Sequence, residues 1–245
     1  MTTAKPTSVA FDDTVHAHLR RVAEHNADSV RRAADLVLEC VKSDGTVLTA
    51  GAGHSLAAVA ETFYRAGGLA CVRPLYHPDL LPLHGALAST TAERRSGLAA
   101  EVLGDKLGEH DVLAVFSTSG VNPYPVELAE LALAAGRPVI GITSGPSSSI
   151  APRRAGATIA ERSTVVLDTL VRSGDSTYPD AAPITAPLST IVNAFLWNEL
   201  LVAVIDKAAD AGIVVPLWRS SNVPGGDEAN TGLLDHYTPR IPELR

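Results

Sequence analysis

The sequence predicts an α/β protein built on a parallel sheet with helices over both faces. Three observations carry this. Short apolar runs alternate with helix-length segments along most of the 245 residues. One run, "VLAVF" at 112–116, is apolar at every position, as a strand covered on both faces should be. Turns rich in Gly, Ser and Thr separate strand-like from helix-like segments, the punctuation of right-handed βαβ units.

The elements follow in order. Residues 1–10 read as a loose polar tail. From residue 11 to 41 there is no Gly or Pro, and apolar side chains recur at Val15, Leu19, Val22, Val30, Ala33, Val37 and Val41. That spacing marks one face of a long helix, which Asp44-Gly45 ends. Buried strands are expected at 46–50, 69–75, 112–116, 139–143 and 165–167. Helices are expected at 55–66, about 93–107, 123–135 and about 188–210. Residues 175–187 are rich in Pro and small side chains and read as a loop. Beyond Ile213 the chain is turn-rich with one short helix. The expected division is a tail to residue 10, a helix over 11–44, a core domain over 45–212, and an extension over 213–245 packed on the core or on a partner subunit.

Composition narrows the function. With 46% hydrophobic residues the chain can build a sizeable core. A net charge of −7, with no basic run longer than an arginine pair such as Arg153-Arg154, argues against nucleic acid, and 4% aromatics leave few platforms for bases. Cys40 and Cys71 sit in apolar segments and read as reduced core thiols. The N-terminus lacks a basic-then-apolar signal pattern. No apolar run approaches the ~20 residues of a membrane span. A cytoplasmic protein without a membrane partner is the expectation.

Three strand-to-helix junctions carry hydroxyls. The first is Gly51-Ala52-Gly53-His54-Ser55. The second is Ser117-Thr118-Ser119-Gly120, followed by Asn122-Pro123. The third lies near Thr185 or at Ser189-Thr190. In an open parallel sheet all three would lie on the edge where ligands bind. Free N–H groups, a helix dipole and Ser/Thr hydroxyls together suit an anion. Any one of them could equally be an ordinary N-cap, and Asn122 before Pro123 is a good cap by itself. A Walker loop needs Gly-Lys-Ser/Thr, which is missing. The dinucleotide fingerprint fails at Leu56, and no acid ends the second strand before Asp79. No cofactor is expected. Metal-ligand spacing is also missing, so no metal is expected, with a site assembled from distant His and Glu as the alternative.

"GAGHS" after one strand and "FSTSG" after a later one resemble the SIS (sugar isomerase) domain. That family includes the isomerase half of glucosamine-6-phosphate synthase, sedoheptulose 7-phosphate isomerase and N-acetylmuramic acid 6-phosphate etherase. "AETFYRAGGL", "ERRSGLA", "STSGVNPYPVELA", "PLSTIVNAFLWNELL" and "SSNVPGGDEANTGLL" are similar to a branch of stand-alone SIS proteins of about this length. The resemblance implies a five-stranded parallel sheet between helices (flavodoxin-like), phosphosugar binding, and a homodimer or tetramer. Carried over by position, Gly53, Ser55, Ser117, Thr118, Ser119, Ser189 and Thr190 would hold the sugar phosphate. Asn122 stands where many SIS domains have Thr or Ser, and by that position it joins the expected phosphate-binding set. Residues 151–158, "APRRAGAT", depart from the branch, so no contact is carried over there.

Aldose–ketose isomerisation needs a carboxylate-type base and a group to open the ring. Glu61, six residues beyond Ser55 on the first core helix, is the first candidate base. Glu93 in "TAERRSG", expected to open the next helix, is the second. His54, on the binding turn, could open the ring or contact substrate. His77 and His84 flank a Pro- and Leu-rich loop. Asp227, Glu228 and Asn230 follow Gly225-Gly226 as a turn or as a contribution to the site. The reading is a phosphosugar isomerase, with a phosphosugar lyase or etherase, or a non-catalytic phosphosugar sensor, as alternatives. The long N-terminal helix is expected to contribute its apolar stripe to an oligomer interface.

Overall fold

A computed structural model describes residues 10–245; the tail expected at 1–10 lies, but for Ala10, outside the described residues. The uninterrupted segment forms α1 (Phe11–Lys42), 32 residues long, with Asp12 and Asp13 in its first turn and Lys42 in its last, as the helix dipole favours. Five strands follow: β1 (Val47–Gly51), β2 (Val72–Leu75), β3 (Val112–Phe116), β4 (Val139–Thr143) and β5 (Val165–Asp168). They form one sheet in the order β2-β1-β3-β4-β5, and every neighbouring pair is parallel. β1, β3 and β4 are buried at every residue, and their sequences are apolar or small throughout, apart from Thr49 in β1 and Thr143 in β4.

The helices are α2 (Ser55–Thr62), α3 (Ala86–Ala92), α4 (Leu98–Leu103), α5 (Pro123–Ala134), the single turn α6 (Gly145–Ser148), α7 (Ser189–Ala211) and α8 (Gly226–Tyr237). α1 lies along α7 and β5. Its apolar stripe is turned inward: Val22, Val30, Ala33 and Val37 are buried, and Val15, Leu19 and Val41 pack on the same core. The stripe therefore packs on its own domain and is not left open for a second subunit. Cys40 and Cys71 are both buried and free, and burial pushes the Cys71 thiol up to about 12.

Several boundaries differ from the sequence reading, each for a local reason. α2 stops at Thr62, four residues early, because Phe63 is extended and Tyr64 takes a left-handed φ of 44°. β2 starts at Val72 because Leu69 bridges antiparallel to Leu217 and Ala70 N–H donates to Pro216 O, so the C-terminal extension claims that stretch. The single helix expected at 93–107 is only the short α4: the preceding α3 ends at Ala92, and a turn closing at Gly97, with φ 87°, separates the two. Glu93 therefore ends α3 and does not open a helix. By length and composition α7 could cross a membrane, although no such run was expected; Asn193, Asn198 and Glu199 interrupt it in sequence. Its Val192, Leu196, Leu200 and Val204 side is buried, and it packs on α1 and α2.

One side chain fastens α1 to the sheet. Asn26 is 1% exposed. Its Nδ2 donates to Asp168 O at 2.8 Å and to Val22 O at 2.8 Å, and its Oδ1 accepts from Asp168 N at 2.7 Å. Asn26→Ala should leave the N–H and the C=O of Asp168 unpaired in a dry place. The expected loss is about 1–3 kcal/mol, the penalty for orphaning buried polar groups, read as a lower midpoint in urea unfolding at unchanged slope.

Candidate functional site

The site is built where two crossovers leave the sheet in opposite directions, between the carboxyl ends of β1 and β3. From β1 the chain turns through Gly51 to His54 into α2. A Cβ on Gly51 would come within 3.0–3.1 Å of Ser55 atoms, so glycine lets the turn close. The N–H of Gly53 donates to Leu80 O and that of Ser55 to Ala52 O. Those two amides are engaged, and Ser55 offers its hydroxyl.

From β3 the chain turns through Ser117, Thr118 and Ser119 to Gly120, whose φ is 64°. Ser117 N–H donates to Ile142 O, and Gly120 N–H donates to Ser117 Oγ at 3.2 Å. A Cβ on Gly120 would stand 2.6 Å from Thr143 Oγ1. The loop is braced from behind: Ser144 N–H donates to Thr118 O at 3.0 Å and Ser148 Oγ to Ser119 O at 2.6 Å. Between these tethers the N–H groups of Thr118 and Ser119 have no protein acceptor among the described residues. A fixed turn with free amides and hydroxyls is a ready acceptor of an anion.

A cavity of about 290 Å³ joins the two turns. It collects His54 and Ser55 from the first, Ser117, Thr118, Ser119 and Asn122 from the second, and Glu93 and Ser189. Glu61 and Thr190 are not part of it: Glu61, in the last turn of α2, is ion-paired with Arg65 just beyond the helix, and Thr190 is exposed on α7. His77 caps a one-turn helix by accepting from Asp79 N–H, and His84 approaches the Tyr76 hydroxyl at 3.3 Å. Asn230 is buried and clasps both the N–H and the C=O of Arg219, so it holds the extension together.

Two assignments change on the geometry. Asn122 stands at the N-cap position of α5, yet its side chain makes no capping bond. Its Nδ2 donates to Glu93 Oε1 at 2.9 Å, and its Oδ1 accepts from Arg154 Nη1 at 3.0 Å. The start of α7 is not an open anion seat. The Asp175 carboxylate accepts from the N–H of Leu188 and of Ser189, both at 2.9 Å, and from Ser189 Oγ at 2.5 Å. Asp175, with Ser147 and Gly174, lines the cavity unannounced by the sequence. It lies 14 residues before Ser189, too far for any capping pattern to point to it.

Glu93 is half-buried, and burial pushes its carboxyl above the ordinary value of 4.5, against the opposing pull of Arg94 and Arg154. A raised value in the fold means that ionising Glu93 weakens the folded state. The penalty is absent below about pH 4.5 and grows as pH rises toward the folded value. Glu93→Gln keeps an acceptor for Asn122 and removes the charge. It should therefore be at least as stable as the parent at pH 7 and lose that advantage at pH 4, in paired urea titrations.

The profile of the SIS domain matches residues 10–144. A UPF0309 protein of Listeria innocua is 35% identical over 231 residues, covering 92% of this chain and 94% of its own. One from Streptomyces coelicolor is 38% identical over 251 residues, covering 98% of each. Among solved structures, a candidate phosphosugar isomerase from Silicibacter pomeroyi superposes with a TM-score of 0.50 at 16% identity, over 82% of this chain and 50% of its own, a likeness of fold. The matched profile contains both serine turns, Glu93 and Asn122, and the relatives align almost end to end: the chain belongs to the SIS domain family, among its stand-alone UPF0309 members.

Proposed function

We propose that the cavity binds a sugar monophosphate and interconverts its aldose and ketose forms. The observation that carries this reading is the pairing, in one cavity, of a braced Ser/Thr turn with free amides and a half-buried carboxylate raised toward neutral pH. Ser55, Ser117, Thr118 and Ser119 hold the phosphate. Asp175 already fills the start of α7 with a carboxylate, so a second phosphate there would meet a like charge. That favours a monophosphate.

Glu93 is the base. It removes the proton from the carbon next to the carbonyl, the C–H electron pair forms the enediol double bond, and the carbonyl oxygen takes up a proton. The same proton returns to the neighbouring carbon while the other hydroxyl yields its own, so nothing is gained or lost. A base is most effective when its pKa lies near the working pH, and burial moves Glu93 in that direction. His54, exposed at the cavity edge, opens the ring or contacts the sugar.

Ser55→Ala and Ser119→Ala should each weaken binding of a cognate sugar phosphate by about 1–3 kcal/mol, the value of a hydrogen bond to a charged group. Calorimetry, after a thermal-shift screen of sugar phosphates, reads this; unchanged affinity in both variants removes the phosphate assignment. Glu93→Gln should cut turnover by about 10²–10⁴-fold with little change in binding. Glu61→Gln is the matched comparison and should leave turnover near the parent. The reverse pattern would move the base to α2.

The family resemblance also supports a homo-oligomer. Because the stripe of α1 is turned inward, contact with a second copy must use other surface, and Ile191, Val202 and Ile205 leave an exposed apolar line along α7. Sedimentation velocity should give a dimer or larger species at micromolar concentration, and a stable monomer would contradict it.

A further inference from the structure

Two residues of the cavity wall, Glu93 and Asn122, belong to a three-member chain of side chains that crosses three separate segments and ends at Arg154 behind the wall. Arg154 comes from residues 151–158, the stretch that departs from the resembling branch. Its N–H donates to Val121 O at 3.2 Å, which sets its backbone against the second serine turn. Its Nη1 donates to Asn122 Oδ1 at 3.0 Å, and Asn122 Nδ2 donates to Glu93 Oε1 at 2.9 Å. Asn122 is 7% exposed, so its amide has little access to water as a substitute partner. Glu93 is also tied through its backbone, whose C=O accepts from Tyr124 N–H at 3.2 Å. The other carboxylate oxygen of Glu93 has no protein partner among the described residues.

We infer that Arg154, acting through Asn122, is a positioning residue for Glu93. An amide is asymmetric, with an acceptor at one end and donors at the other. A guanidinium can only donate and an ionised carboxylate can only accept. With Arg154 on one side and Glu93 on the other, a single orientation satisfies both; the flipped amide would set N–H₂ against guanidinium and C=O against carboxylate. Arg154 thus fixes which end of Asn122 meets Glu93, holds Oε1, and leaves Oε2 for the cavity. The guanidinium, exposed at the surface, contributes its charge at one remove and does not clamp the base in a direct ion pair. The inference rests on the reading of Glu93 as the base.

Few other charges bear on Glu93. Arg94 stands beside it, His54 and Asp175 share the cavity wall, and Glu127 on α5 is occupied by the N–H of Gly97. Of these, Arg94 makes no hydrogen bond to Asn122 among the described residues and supplies a control.

The test is a direct titration of the Glu93 carboxyl by carbon NMR on protein labelled at glutamate, with Glu93→Gln to assign the signal. It needs no substrate, so its result is independent of whether Glu93→Gln abolishes turnover. Arg154→Met should move the Glu93 midpoint to higher pH, because both the charge and the oriented donor that favour the ionised form are lost. In an Asn122→Ala background the same change should have a much smaller effect, whereas Arg94→Met should raise the midpoint in both backgrounds. If Arg154→Met leaves the midpoint unchanged, or raises it equally with and without Asn122, the positioning role is overturned. Should Asn122→Ala fail to fold by circular dichroism, Asn122→Ser replaces it, and the Arg154→Met result in the parent still decides whether Arg154 reaches Glu93 at all.

Discussion

Two neighbouring parallel strands cannot be joined by a tight turn; the chain must climb back over the sheet, here mostly in helices, before it can add the next strand. With the hand of that crossover fixed, every strand in this protein releases its chain at the same edge. The order β2-β1-β3-β4-β5 adds one more constraint. The chain leaves β1 toward one side to make β2 and then returns past β1 to make β3. Between β1 and β3 the two departing segments diverge and a crevice is unavoidable. The candidate site lies around that gap: the Ser55 turn on one lip, the Ser117–Ser119 turn on the other, and Glu93 on the wall.

What was readable in the sequence is what depends on neighbours close along the chain. β3 reads as a buried strand because all five of its residues are apolar, and α1 because its stripe keeps helical spacing for 27 residues without Gly or Pro. The two serine turns were readable because glycine is needed where a Cβ would collide, at Gly51 and Gly120. What was missed depends on residues far apart. The break at Gly97 moves Glu93 from the start of a helix to the end of one. Asp175 reaches Ser189 across 14 residues, and Arg154 reaches Asn122 across 32. No periodicity or spacing rule encodes such pairs. Even the correct observation that Asn122 precedes Pro123 pointed to the wrong bond, since tertiary partners outbid the local cap.

The same long-range logic explains why α1, first in sequence, is integral to the fold. Asn26 substitutes for a missing sheet neighbour by pairing with both the N–H and the C=O of Asp168 at the end of β5. Asp168 in turn accepts from the N–H of Gly145 and of Leu170. One carboxylate and one amide thus tie α1, the turn after β4 and the chain leaving β5. That chain continues into the loop that carries Gly174 and Asp175 to the cavity.

A site that holds an anion beside a general base faces a conflict. A lysine or arginine lying against the phosphate would also lie close to the base, pair with it, and hold it ionised and weakly basic. A cavity lined by donors without net charge avoids this. Hydroxyls and backbone N–H groups accept the phosphate through directed hydrogen bonds, and the dipoles of α2 and α5 add a partial positive charge that falls off within a turn. Glu93 can then keep the raised value that burial gives it. Of the two cations that bear on it, Arg94 is its neighbour in sequence, and Arg154 is separated from it by the width of an amide. Asp175 completes the separation at the other end, where it satisfies the N-terminus of the longest core helix from within the chain. On the proposed reading, an anion entering the cavity has one uncontested seat, and a sugar attached to it would extend from there toward the carboxylate.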